Sequence, residues 1–352
     1  MGLTTALWVH ALWLHGFAGQ PCGVQASDPR SEQHSGGHPI AHGQFLPIRI
    51  FRVVRVAITV GMRPARVIRY PGPPAVIEAS SSGLHLVSLG SGTPVLVVHG
   101  GPGLDHQYLR PWLDPLAQEA RLTFVDLRGH GQSERYADPS MYSHATWVAD
   151  IEQARISLGV DHFVLMAHSW GSFIALEYAL KHQEHLLGLA LCSTAAALNY
   201  TEQALEIARA RATEEEFRGL VAALSAPATD DESFRSSWLA ALPVYFAGDG
   251  AEAIRQMDRG TIYAFEAFNR GMFECMPHYD VTAGLDTIAC PTLVLGGRHD
   301  WITPPDLGPG VVSRGIAGSE LHIFEQSGHF PFIEEQDAFL AVVTRWLARL
   351  EA

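Results

Sequence analysis

Six short apolar runs, each bounded by glycine, proline or polar residues, constrain this chain more than any other feature. They are PVLVVHG (94–100), LTFVDLRG (122–129), HFVLMAHS (162–169), LLGLALCS (186–193), PTLVLGG (291–297) and ELHIFEQ (320–326). Their near-continuous apolar character is what strands buried on both faces of a parallel sheet require, because neither face may carry a polar stripe. Amphipathic helical patterns around 144–158, 170–184 and 335–350 fill the gaps. Parallel neighbours need a crossover between them. The alternation therefore predicts an α/β fold, a mostly parallel central sheet with helices on both faces.

Between about 195 and 285 that rhythm stops. Acid clusters, TEEEF and TDDESF, stand among Phe217, Trp238, Tyr245, Phe246, Tyr263, Phe265 and Phe268, and no further strand-like run occurs. This segment is expected to be a mostly helical insertion over the carboxyl edge of the sheet, where open α/β sheets bind ligands. The expected organisation is a first core segment at 62–194, a helical cap at 195–285 and a second core segment at 286–352.

Residues 1–61 read differently. The first 77 residues carry a net charge of +5, whereas the whole chain carries −13 and the remainder therefore −18. TALWVHALWLHGFAG, with VQA before Ser27, has the outline of an export signal, but no Lys or Arg precedes it and His10 and His15 interrupt it. A Gly/His/Ser-rich stretch follows, and then IRIFRVVRV with Arg49, Arg52 and Arg55 three apart. Orderly patterning begins only after Met62. We expect an N-terminal extension outside the native folded domain, disordered or translated from upstream, with an export signal and a basic membrane-facing arm as alternatives. The first reading implies a cytoplasmic protein, the second a secreted or periplasmic one.

Composition removes several function classes. The net charge of −13 argues against nucleic acid as a partner. The apolar N-terminal run is too short and too polar for a membrane span, so no stable membrane association is expected. Cys22, Cys192, Cys275 and Cys290 include no C-x-x-C pair, which leaves neither a zinc signature nor a disulfide framework. Free buried thiols are expected. A hydrophobic share of 47% is ample for a large core.

The chemistry-bearing motifs fall at or just after the carboxyl ends of the expected strands. HGGPG (99–103) lets the backbone approach a ligand, and the Gly101 N–H is the candidate donor to a developing oxyanion. An ordinary Gly/Pro turn is the alternative. DLRGHGQS (126–133) offers Asp126 and Arg128 to one another or to the loop backbone, a structural role. AHSWG (167–171) places Ser169 where a strand meets a helix. Serine there is either a helix cap or a nucleophile on a tight elbow, which needs small neighbours. Trp170, opening the helix, would supply a second oxyanion N–H. GGRHDWITP (296–304) and SGHFPFIEE (327–335) put Asp300 and His329 on loops after their own strands. A serine needs an imidazole to take its proton, and the imidazole needs a carboxylate to fix its tautomer. Three residue types in the order Ser169, Asp300, His329 satisfy both needs.

With HGGPG, DLRGHGQS, HSWGS, GGRHD and SGHFPFIEE in that order, the chain resembles the α/β-hydrolase superfamily. Within it, the likeness is to the proline iminopeptidase (prolyl aminopeptidase) branch, from about residue 84 to 350. The resemblance implies an α/β-hydrolase fold with a helical cap, Ser169 as nucleophile, His329 as base, Asp300 as its orienter, and Gly101 with Trp170 as the oxyanion hole. It also implies no metal and no organic cofactor. Relatives grip a free substrate amine with acids. One subgroup carries glutamate directly after the triad aspartate, where this chain has Trp301. Glu274, in GMFECMPHYD, is the candidate cap carboxylate, with a solvated acid as the alternative. His99, Gly100, Glu274 and Trp301 are thus the candidate substrate contacts. The expected activity is that of a serine hydrolase cleaving an N-terminal residue from small peptides or amides. The alternative is a carboxylesterase or lactonase on small apolar esters. A noncatalytic binding protein would instead show a broken triad.

Overall fold

A computed structural model describes residues 83–350 and the backbone of 76–79. The reading of residues 1–61 therefore falls outside the described residues, as does Cys22. Eight strands form one sheet in the order β1-β2-β4-β3-β5-β6-β7-β8. They are β1 (Val76–Ala79), β2 (His85–Leu89), β3 (Pro94–Val98), β4 (Arg121–Asp126), β5 (Phe163–His168), β6 (Leu186–Cys192), β7 (Thr292–Gly297) and β8 (Glu320–Phe324). The six expected strands are β3 to β8, and all their pairings are parallel. β1 and β2 add an antiparallel edge that the apolar-run criterion does not see. Their sequences, VIEA and HLVSL, are short and broken by Glu78 and Ser88. Ser88 is nevertheless buried, because its hydroxyl bonds that of Thr123 on β4 at 2.9 Å.

Two helices serve the front half of the sheet, α1 (His144–Ser157) and α2 (Trp170–His182). α2 packs on β3, β5 and β6 and buries Phe173, Ile174 and Leu176, each worth roughly 1.5–3 kcal/mol relative to exposure. The insertion between β6 and β7 is mostly helical over residues 201–287: α3 (Thr201–Arg211), α4 (Glu214–Ser225), α5 (Asp231–Ala241), α6 (Ala251–Gly260) and α7 (Phe265–Asn269), with short 3-10 turns and loops between them. α7 runs directly into a π-helical turn at Arg270–Cys275. The acid clusters have a local cause. Thr213 with Glu216, and Asp230 with Ser233, are capping boxes, and the other acids occupy first turns where the helix dipole favours negative charge. The chain ends with α8 (Pro309–Gly315), α9 (Pro331–Glu334) and α10 (Gln336–Leu350). Among the described residues no helix is long and apolar enough to cross a membrane. Cys192, Cys275 and Cys290 are free, the first buried and the others half-buried.

The strand order creates one crevice. From β3 the chain steps outward to β4, then returns past β3 to β5 and continues in that direction to β8. Right-handed crossovers stepping in opposite directions lie on opposite faces of the sheet. The loops leaving β3 and β5, which are hydrogen-bonded neighbours, therefore diverge and leave a cleft at their carboxyl ends. HGGPG follows β3 and Ser169 follows β5.

Candidate active site

Ser169 has φ 55° and ψ −129°, left-handed backbone that a non-glycine residue adopts only when its surroundings impose it. Two contacts impose it here. The Ser169 N–H donates to the Cys192 carbonyl at 2.8 Å, and the HGGPG loop presses on its other side. A Cβ at Gly100 would come within 2.9 Å of the Ser169 Cβ, and one at Gly171 would overlap the His99 carbonyl oxygen. Ala167, where the elbow pattern has glycine, is buried between β3 and β6, and its methyl is accommodated. The capping alternative fails, since the serine side chain makes no bond to the helix.

Its hydroxyl instead meets His329 Nε2 at 2.8 Å, and His329 Nδ1 meets Asp300 Oδ2 at 2.7 Å. Asp300 is fully buried. Burial alone would push its carboxyl up, but the facing His329 ring and the bonds from Thr303 outweigh that and hold it below its ordinary range. Thr303 donates both its hydroxyl (2.6 Å) and its N–H (3.1 Å), and the Ile302 N–H adds a third bond at 3.0 Å. His329 in turn donates its own N–H to the Tyr245 carbonyl of the insertion at 2.7 Å. The three side chains come from loops after β5, β7 and β8.

Gly101 and Trp170 line the same cavity as Ser169. Trp170 is the first residue of α2, so its N–H has no partner within the helix. The cavity holds roughly 680 Å3 of empty space open to solvent. Phe234, Trp238, Tyr245, Phe268 and Met272 of the insertion face it together with Phe173 of α2. Among the described residues, no aspartate or glutamate lines it.

The other candidate contacts lie elsewhere. Glu274 is a correction: it is exposed and paired with Arg270 across one turn of the π segment, while its neighbours Met272 and Met276 enter the cavity. Trp301 is buried behind the wall, edge-on to Tyr245 at 5.3 Å, and Ile302 and Thr303 line the cavity in its stead. His99 is buried too. Its Nδ1–H donates to the Gly100 carbonyl at 2.8 Å and its Nε2 accepts the Leu127 N–H at 3.2 Å, so it braces the loop. The Gly100 N–H is taken by the Tyr108 hydroxyl at 2.6 Å.

The DLRGHGQS loop is structural, with one change of partner. Arg128 pairs with Asp150 at 2.6 Å and not with Asp126. Asp126 accepts the His106 N–H (3.0 Å), the His106 Nδ1–H (2.7 Å) and the Gln132 N–H (3.0 Å). Burial opposes its charge, but the His106 bond prevails and holds the carboxyl at about 2. His85, His106 and Asp126 are the one group among the described residues with a donor set suited to a metal ion. With three N–H donors already on the carboxylate, the group reads as a brace for the loops.

Sequence reasoning missed Thr303, Tyr245, Tyr108 and His168. Thr303 had a signal, a hydroxyl three residues after an aspartate, as in turns closed by an Asx side chain. The others carry none.

A family model described as alpha/beta hydrolase fold matches residues 93–336. The chain belongs to the α/β hydrolase fold family. It is a hydrolase, of the branch that resembles proline iminopeptidases. Its relatives include a proline iminopeptidase of Pestalotiopsis fici, 29% identical over 249 residues, spanning 69% of this chain and 87% of the relative. A proline iminopeptidase of Clostridium botulinum is 27% identical over 268 residues, spanning 73% and 90%. An α/β fold family hydrolase from Bacillus anthracis superposes with a TM-score of 0.66 at 23% identity, over 78% of this chain and 99% of that one. A thermophilic esterase from Thermogutta terrifontis superposes with a TM-score of 0.59 at 25% identity, over 79% and 99%.

Proposed function

We propose that this α/β hydrolase cleaves small apolar carboxylic esters or lactones through an acyl-enzyme on Ser169. The observation that carries the substrate class is the cavity: it opens on the Ser169 hydroxyl, is walled by aromatic and methionine side chains, and among the described residues has no carboxylate to hold a substrate ammonium. The acids of the insertion are committed elsewhere. Asp231 pairs with Arg135 and Asp258 with Arg235, Glu274 pairs with Arg270, and Glu202, Glu206 and Glu266 are exposed. Burying an ammonium without a partner costs more than apolar contact returns.

In this mechanism Ser169 Oγ attacks the carbonyl carbon while His329 Nε2 takes its proton. The oxygen that becomes negative receives the N–H groups of Gly101 and Trp170. The bond to the leaving oxygen then breaks, and His329 returns the proton to that oxygen. Water repeats the sequence on the acyl-enzyme, releasing the acid and restoring the serine. Asp300 stays ionised throughout and stabilises the imidazolium. Residues 195–285 act as the cap that selects the acyl group, over the core formed by the described residues on either side of them.

Aminopeptidase activity is the second reading, favoured by the two proline iminopeptidase relatives. A panel of proline and alanine arylamides beside short-chain aryl esters separates the two. Ester turnover without arylamide turnover is expected, and the reverse overturns the ester reading. Ser169→Ala retaining full activity on either would sink the mechanism itself.

A further inference from the structure

Behind the elbow lies a buried chain of hydrogen bonds that the mechanism above does not use. The Gly100 N–H meets the Tyr108 hydroxyl at 2.6 Å, that hydroxyl meets His168 Nδ1 at 2.7 Å, and His168 Nε2 meets the carbonyl oxygen of His329 at 2.9 Å. Its two ends and its burial fix the protons in it. A backbone N–H only donates and a carbonyl only accepts, so Tyr108 accepts from Gly100 and His168 Nε2–H donates to His329. Burial holds the His168 imidazole down at about 3. The neutral ring's Nδ1 therefore accepts the Tyr108 hydroxyl proton. Tyr108 is 1% and His168 4% exposed, so neither has a water alternative at hand.

The positions tied together are the ones the chemistry has to hold in register. Gly100 precedes the oxyanion donor Gly101. His168 precedes the nucleophile Ser169. The accepting carbonyl belongs to the base, His329, and also receives the Ser193 hydroxyl at 3.0 Å. The loops after β3 and β8 and the end of β5 are thus joined by two side chains. Resting on the Ser169–His329 reading above, we propose that Tyr108 and His168 are a positioning pair that sets the distance from the oxyanion donors to the nucleophile and base. Neither touches the reacting atoms; both act through the backbone of residues that do.

The test avoids any assumption about the natural substrate. An alkyl fluorophosphonate phosphonylates a serine that has its base and oxyanion donors in place, and an alkyl trifluoromethyl ketone reports the oxyanion site as a reversible adduct. In Tyr108→Phe, which loses one oxygen, the inactivation rate and the ketone affinity should both fall about tenfold, with the unfolding midpoint within a few degrees of the parent. His168→Ala should fall further. His168→Gln, which keeps one donor and one acceptor, should recover part of the loss. Tyr108→Phe inactivated within twofold of the parent rate would overturn the proposal, as would a slower rate with unchanged ketone affinity. A parent chain that is not labelled at Ser169 would instead remove the nucleophile reading on which the proposal rests.

Discussion

Asp300 is held by four bonds, one to His329 and three from Ile302 and Thr303, and each is made to the ionised form. Replacing it with asparagine keeps the shape but presents the wrong partner to His329 Nδ1. On the proposed mechanism Asp300→Asn should lower kcat on the order of 10^3- to 10^4-fold with little change in KM, read by steady-state kinetics. Glu274→Gln should leave kcat/KM within twofold, because its carboxylate is exposed and turned to Arg270; a large loss would return Glu274 to the site. Sequence reasoning could name Ser169, Asp300 and His329 because their chemistry demands those residue types and an α/β-hydrolase fold presents them in that order. It could not place Glu274, because an acid in a helical segment looks the same whether it faces a cavity or water. Nor could it find Tyr108 and His168, which bond to each other across 60 residues and to the backbone of Gly100 and His329.

At the level of elements, the contact between α2 and the strand end of β3 sets how near the HGGPG loop lies to Ser169. Gly171 is the residue at that contact, and a methyl there would run into the His99 carbonyl oxygen. Gly171→Ala should therefore displace the helix, lowering the melting temperature and cutting activity by about a hundredfold or more. The neighbouring Ser172→Gly should be mild by comparison. It loses the bond from the Ser172 hydroxyl to the Ser169 carbonyl and adds helix entropy, about 1–2 kcal/mol in urea unfolding. Equal effects from the two substitutions would show that close approach is not what the glycine provides. The central strands were legible because burial on both faces leaves a continuous apolar record. β1 and β2 were not, because one short antiparallel edge can satisfy Ser88 by a cross-strand partner that no local pattern encodes.

Across the whole molecule, buried titratable groups act in opposite directions on stability. Burial keeps His99, His130 and His168 neutral in the folded chain, the last two down to about 3. The unfolded chain takes up those protons near pH 6.5, so their contribution is present above 6.5 and is lost as pH falls through their depressed folded-state values. Asp105 and Glu334 are pushed up by burial to about 7, so their contribution is present below about pH 4 and is lost as pH rises through 7. Between pH 6 and 5 the two sets oppose one another. Glu334→Gln removes one opposing group, so its unfolding free energy should fall more steeply than the parent's as pH drops from 6 to 5, measured by urea titration. Equal slopes in the two proteins would refute this balance. None of this balance was visible in the sequence, since eighteen histidines carry no mark of which ones burial will claim.

β6 and β7 are sheet neighbours, yet the chain between them runs through five helices. The ends of that excursion stay side by side whatever its length, and closing a longer loop costs only slowly more entropy. The segment therefore behaves as an exchangeable module. Another hydrolase's helices could be grafted between Cys192 and Thr292 without disturbing the register of a single strand. Such a graft would need to rebuild the seam with the core, which includes the Tyr245 carbonyl on the His329 N–H, the Ala264 N–H on the Gly103 carbonyl, the Ile262 N–H on Asp105 and the Ala247 N–H on Glu334. With that seam kept, the choice of acyl group becomes, on the proposed mechanism, a property that can be moved from one scaffold to the next.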